Sequence, residues 1–324
     1  MKYSFRACVV GAMSVALTGL LVACSGPGPE PPPAPPSPGG VDCDSIAAEM
    51  TDALLPYAEK DAIEVEIDSS SCRDADPEAR NSYAITINET TTTSAEDLVK
   101  LIDTVRGFSE RDDLAAIAPN GAGLLVQYGH LDLRIKQHLP SMNEALATAL
   151  AGAANDETSD VTFNVTLEPG QDYRDTPRSR RRLIAQPDAP TRAEELDPRV
   201  ERAWVTTERI ASVVEWPGEM SVKHPNGRKW QLPIPPGSTA PENMAGFGDE
   251  LHEFASGPSV IGLWLGPQHD RDGLRFSVEL NHRTVSHDDQ RLTPPEQRRF
   301  EALVATMESW GLGEVDTFVG LMYE

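Results

Sequence analysis

Apolar residues recur along this chain at two spacings, every second position and every third or fourth, and the switches between them mark out its elements. Residues 44–58 place Ile46, Met50, Ala53, Leu54 and Tyr57 at helical spacing. Ile63, Val65 and Ile67 then alternate with polar residues, as do Tyr83, Ile85 and Ile87 beyond a polar loop, so two strands are predicted. Ser94-Ala95-Glu96-Asp97 resembles a capping box and opens a helix with Leu98, Leu101, Ile102, Val105 and Phe108 on one stripe. Leu124–Val126 is a candidate third strand. The same order returns near the C-terminus. A helix carries Leu251 and Phe254, strands cover Val260–Leu265 and Leu274–Leu280, and Thr293-Pro294-Pro295-Glu296 opens a helix with Phe300, Leu303, Val304, Met307 and Trp310 on one face. Val315–Tyr323 is its final strand.

Two occurrences of helix, strand, strand, helix predict an internal duplication. The expected fold class is α+β: two similar halves, with antiparallel or mixed sheets and helices packed on one face. Either a ferredoxin-like arrangement or one long sheet shared by both halves satisfies this. The strands alternate rather than run continuously apolar, which argues against a doubly covered parallel sheet and a Rossmann-like cofactor site. Between the copies, Leu131–Lys136 and Val161–Leu167 read as strands and residues 140–153 as a helix. Tyr173–Pro198 loses periodicity and reads as a surface loop holding Arg178 and Arg180–Arg182. Val200–Ile210 and Val213–Trp216 read as strands, and Asn226-Gly227 marks a hairpin within Met220–Leu232. The domain plan is residues 41–170 as an N-terminal half, 171–241 as an irregular and hairpin segment, and 242–324 as a C-terminal half.

Charge changes this picture in one respect. The 324 residues carry 51 acidic and 28 basic side chains, a formal net charge of −23. Such a balance opposes nucleic acid as a partner. The stretch 171–229 departs from it, with 10 acidic and 12 basic residues.

The N-terminus adds a location. Lys2 and Arg6 precede an uncharged, mostly small or apolar run over residues 8–23, too short for a comfortable membrane span. It closes on Leu21-Val22-Ala23-Cys24, which resembles the bacterial lipoprotein signal over residues 1–24 alone. That resemblance implies a signal peptide of residues 1–23 and a diacylglycerol-bearing Cys24, with a further acyl chain of the palmitate kind. It places the mature chain on the outer, extracytoplasmic side of the cell membrane, because two or more chains hold a membrane well. Residues 24–40 follow as a tether with eight prolines between Pro27 and Pro38, a composition that favours extended polyproline II.

Export makes the remaining cysteines an even pair in an oxidising compartment, and Cys43 and Cys72 read as one disulfide. Candidate chemistry is sparse. His269, Asp270 and Asp272 sit in one predicted loop, and His282, His287, Asp288 and Asp289 in another. Imidazole with carboxylate can act as base and orienter or hold a metal, which frames an alternative reading as an extracytoplasmic hydrolase. If the intervening strands form a hairpin these loops lie at opposite ends of it, so no catalytic residue, metal or cofactor is assigned. Trp204, Trp216 and Trp230 fall within 27 residues of the less acidic middle and are the candidate ligand-binding residues, able to stack on a glycan ring or a partner protein if exposed together. The expected function is a lipid-anchored envelope protein that binds or scaffolds a protein or cell-wall component without catalysis.

Overall fold

The computed structural model describes residues 42–67, 82–118, 121–268, 273–281 and 291–321. Seven helices are described: α1 (Cys43–Leu54), α2 (Ala95–Ser109), α3 (Asp112–Ile117), α4 (Glu144–Ala154), α5 (Leu196–Val214), α6 (Met244–Ala255) and α7 (Pro294–Ser309). Eleven strands accompany them: β1 (Ile63–Ile67), β2 (Tyr83–Ile87), β3 (Ala122–Tyr128), β4 (Leu131–Gln137), β5 (Ser159–Leu167), β6 (Arg181–Pro187), β7 (Gly218–Lys223), β8 (Lys229–Ile234), β9 (Val260–Pro267), β10 (Gly273–Leu280) and β11 (Glu314–Gly320). The fold is a mixed α+β arrangement of two sheets with interspersed helices.

The helices start where local chemistry supplies a cap. Asp42, Ser94, Asn143 and Asn243 each accept a hydrogen bond from the backbone N–H three residues on, and Thr293 and Glu296 form a reciprocal capping box. These bonds satisfy donors that the first helical turn leaves orphaned. The exceptions are α3, whose N-cap Arg111 makes no side-chain cap bond, and α5, which is entered through a short 3-10 turn, Ala193–Glu195.

Both sheets are built in chain order. The first runs β1 to β8 with each strand beside its successor, and the second is β9-β10-β11. Pairing alternates regularly: β1–β2, β3–β4, β5–β6, β7–β8 and β9–β10 are antiparallel, whereas β2–β3, β4–β5, β6–β7 and β10–β11 are parallel. Each parallel step has a helix between its strands, since parallel neighbours need a crossover. Antiparallel steps are closed by shorter connections. Gly129 (φ 59) begins the two-residue β3–β4 turn, and a Cβ there would lie 2.2 Å from the Ala154 carbonyl. The β7–β8 turn runs through Pro225-Asn226-Gly227: Gly227 N donates to His224 O at 2.8 Å, His224 N donates to Arg228 O at 2.9 Å, and Gly227 takes φ 86.

Register puts one apolar row after another on a single face. Ile85, Leu124, Ile135 and Val165 are successive partners, as are Leu133, Phe163 and Leu183, and Ala185, Met220 and Leu232. All are at most 1% exposed. The helices pack on one another in sequence order, α1 on α2, α2 on α4, then α4 on α5, α5 on α6 and α6 on α7. The opposite face of the first sheet carries Glu64, Thr86, Gln127, Asp132, Arg134, Asn164, Ser221 and Gln231 and is mainly polar, with Leu125 and the buried Ile184 as apolar members. The boundaries drawn at residues 170 and 241 fall between β5 and β6 and between β8 and α6.

The strand reading of Val200–Ile210 and Val213–Trp216 is overturned. Residues 196–214 form the 19-residue helix α5, with Leu196, Val200, Ala203, Trp204, Thr207, Ile210, Ala211 and Val214 buried at three- and four-residue spacing. That stripe, not the β-branched composition, decides the element. Likewise the stretch read as an aperiodic loop contains β6, whose Leu183, Ile184 and Ala185 are all buried, so the strand shows no clean alternation. No described helix is long and apolar enough to cross a membrane.

Candidate functional site

A ligand-sized cleft opens where β8 and β9 lie side by side without sharing a ladder. Pro233, Pro235 and Pro236 at the end of β8 and Pro267 at the end of β9 have no N–H to give, and proline inside a sheet is confined to edges. The first sheet therefore stops at β8. The starts of β6 and β7, the ends of β8 and β9, the start of β10 and the α7–β11 turn surround a cavity of about 750 Å³. That volume is within the usual range for small-ligand sites. Trp216, Leu183 and Leu312 supply apolar wall, and Arg178, Arg181, Arg182 and Glu219 supply the charge. Gly273 (φ 141) lets β10 approach β11 there: a Cβ on it would meet the Glu314 carbonyl at 2.3 Å.

Much of this wall is held by hydrogen bonds. Arg178 donates through Nη2 to the carbonyl of Gln268. Gln268 is 7% exposed; its Nε2 donates to Leu274 O at 3.1 Å and its backbone N to Gly273 O at 3.1 Å. Arg181 donates from Nη1 to Thr176 O at 3.0 Å, and its guanidinium lies 5.1 Å from the centre of the Trp216 ring. Trp216 is fixed in turn, with Nε1 donating to Tyr173 O at 3.0 Å and its ring stacked on Phe163 at 5.8 Å. Burial raises the pKa of the Tyr173 hydroxyl far above its ordinary value, so it stays neutral. Arg182 differs from its neighbours. It is exposed, and its guanidinium makes no hydrogen bond or ion pair among the described residues. Three guanidiniums against one carboxylate form a basic mouth on a chain of net charge −23.

Among the described cleft residues there is no histidine, cysteine or lysine, and Glu219 is the one carboxylate, so no acid–base pair is assembled. No group of three or more metal-ligating side chains occurs among the described residues. His269, His282, His287 and the aspartates beside them lie outside the described residues, as do Cys24 and Cys72. Cys43 is the half-buried first residue of α1.

The three tryptophans do not form an exposed group. Trp204 is 1% exposed on α5 with Nε1 donating to Ser238 O at 3.3 Å, and Trp230 is 2% exposed on β8 against His224 and Phe247. Trp216, also 1% exposed, is the one of the three that lines the cleft. The exposed tryptophan is Trp264 on β9, 39% exposed, which sequence reasoning passed over because it sits in an otherwise apolar strand. The arginines of 178–182 were visible as a basic cluster, but nothing in the chain tied them to Pro267 or Gly313. Comparison with models of protein families, with curated proteins and with solved structures gave no match.

Proposed function

We propose that this chain is a lipid-anchored envelope protein with a non-catalytic binding role, and that its ligand sits in the cleft with an anionic group against Arg182. The observation that carries the reading is the cleft itself: a ligand-sized cavity whose walls are hydrogen-bonded in place, with an uncommitted guanidinium at its mouth and no acid–base pair among its described residues. Anchorage rests on Cys24 and the proline-rich tether, and a Cys43–Cys72 disulfide would staple α1 to the segment before β2. The expected partners remain an envelope protein or glycan, with the membrane contacted through the N-terminal lipid.

The duplication is wider than two halves. Helices α1, α2, α4, α5, α6 and α7 begin at residues 43, 95, 144, 196, 244 and 294, a period of 48 to 52 residues. Each of the first five is followed by two antiparallel strands, α2 after the short α3, and the sixth by β11. The chain is thus read as six successive helix–strand–strand units, the last with one described strand, stacked so that each buries the apolar face of its neighbours.

The test is thermal stabilisation of the purified mature protein by a panel of small carboxylates, phosphates and acidic peptides, repeated with Arg182→Glu. A ligand that raises the melting temperature of the wild type, loses that effect in Arg182→Glu and is recovered chemically unchanged supports the proposal. No stabilisation by any member, or equal stabilisation of both proteins, refutes the cleft as an anion site. Turnover of the ligand refutes the non-catalytic role.

A further inference from the structure

We propose a second, separate binding site: the outer face of the β9–β10–β11 sheet takes an uncharged polysaccharide chain. Register brings three side chains into one transverse row there, Trp264 on β9, Ser277 on β10 and Phe318 on β11. Trp264 and Phe318 are 39% and 40% exposed, although each belongs to a residue type that strands normally bury. Adjacent strands lie about 4.8 Å apart, so the backbones carrying the two aromatic residues are about 10 Å apart across the serine.

The indole folds down along its strand. Its six-membered ring occupies the space over Gly266, where a Cβ would come within 2.5 Å of it. Glycine at 266 is therefore what lets the ring lie on the sheet. The rows on either side are polar. Gly266, Arg275 and Asp316 form one, and Gly262, Glu279 and Gly320 the other. Arg275 Nε also donates to Ser277 Oγ at 3.3 Å.

Two exposed aromatic rings on a face that also carries a hydroxyl, a guanidinium and carboxylates match the chemistry of a pyranose chain. The C–H faces of the sugar rings stack on the aromatic rings, and their hydroxyls bond to Ser277, Arg275, Glu279 and Asp316. A purely apolar partner would leave those charges buried and unpaired. Glu279, Glu314 and Asp316 against Arg275 make the face net negative, which disfavours a polyanionic chain. The equivalent face of the first sheet makes the contrast. Its outward positions across eight strands, from Glu64 and Thr86 through Leu125, Arg134, Thr162 and Asn164 to Ser221 and Gln231, hold no aromatic residue. Among the described residues, the exposed aromatics are confined to the three-stranded sheet.

This site does not depend on the cleft, and one experiment separates them. The full mature chain is titrated with neutral hexasaccharides, chitohexaose and cellohexaose, and with heparin as a polyanion, by calorimetry. The wild type and Arg182→Glu should bind a neutral hexasaccharide equally, and Trp264→Ala and Phe318→Ala should each weaken it about ten-fold, with circular dichroism unchanged because both side chains are exposed. Absence of binding by both neutral hexasaccharides overturns the proposal. So does undiminished binding by the two aromatic variants, a preference for heparin, or loss of sugar binding in Arg182→Glu.

Discussion

Replacing Glu296 with glutamine removes one negative charge from a nearly isosteric side chain, and the structure says what that should cost. Glu296 is 5% exposed. Its Oε1 accepts from Ser259 N at 3.0 Å, and its Oε2 accepts from Thr293 N at 2.9 Å and from Thr293 Oγ1 at 2.6 Å. One carboxylate thus closes the α7 capping box and ties it to the turn between α6 and β9. An amide has one acceptor oxygen. Whichever way it is turned, its NH2 group faces a backbone N–H, and one buried donor is orphaned. Leaving such a group unpaired costs about 1–3 kcal/mol, and loss of the charge weakens the bonds that remain. A destabilisation of about 2–3 kcal/mol is expected at pH 7. The pH dependence gives a second check. Burial pushes the Glu296 pKa up, but the hydrogen bonds from Thr293 and Ser259 outweigh it, and the net shift is downward from the ordinary 4.5. A carboxylate depressed in the folded state contributes stability that is complete above its unfolded pKa and is lost as pH falls through the folded one. The gap between wild type and Glu296→Gln, measured by urea unfolding, should therefore be full at pH 7 and narrow below about pH 4. A variant within about 0.5 kcal/mol of wild type at pH 7, or a gap that persists unchanged in acid, would refute this reasoning.

Other outcomes follow from equally local features. Gly129→Ala forces a Cβ against the Ala154 carbonyl at a positive φ and should lower stability by about 1–3 kcal/mol in the same urea assay, whereas alanine at Gly152, where a Cβ meets nothing within 4 Å, should be near neutral or stabilising. Trp216→Ala removes the ring beneath Arg181 and should cost about 3–5 kcal/mol, read as a lower urea midpoint. Cys24→Ala should move the mature protein from the membrane to the soluble fraction, and continued membrane retention would count against the lipid anchor. Reducing agent should lower stability by about 3–4 kcal/mol if Cys43 and Cys72 are joined, with free-thiol labelling of the native protein as the opposing result.

What could be read from the chain follows from how each residue is constrained. Tyr83–Ile87 and Val161–Leu167 announced themselves because they are packed on one face and polar on the other, so burial alternates residue by residue. The Thr293 cap was legible for a similar reason, because all its partners in the box lie within four residues. Its link to Ser259 was not, since that contact spans 37 positions. α5 was misread because Val200, Val205, Thr206, Thr207, Val213 and Val214 suggest a strand by composition, while the packing that decides the matter lies on α4, β6 and α6. The cleft was beyond reach altogether. Its residues come from separate segments between 178 and 313, brought together by sheet order, which no local pattern encodes.

The position of the cleft can be argued from the repetition. Stacked helix–strand–strand units would place β9 on β8 in parallel, as β7 lies on β6 and β5 on β4. At that junction the two strands are adjacent but share no ladder, and the chain has placed prolines at the end of each. Closing the ladder would add hydrogen bonds; leaving it open exposes two strand ends and creates a cavity. Where an otherwise regular fold breaks its own pattern, function is the expected compensation. On this argument, sequence changes that restore N–H donors at Pro233 and Pro267 should zip the sheets together and close the cavity. Pro233→Val with Pro267→Val should then raise the urea midpoint while abolishing the ligand stabilisation that depends on Arg182. If the double variant is destabilised and still binds, the prolines are not what keeps the cleft open.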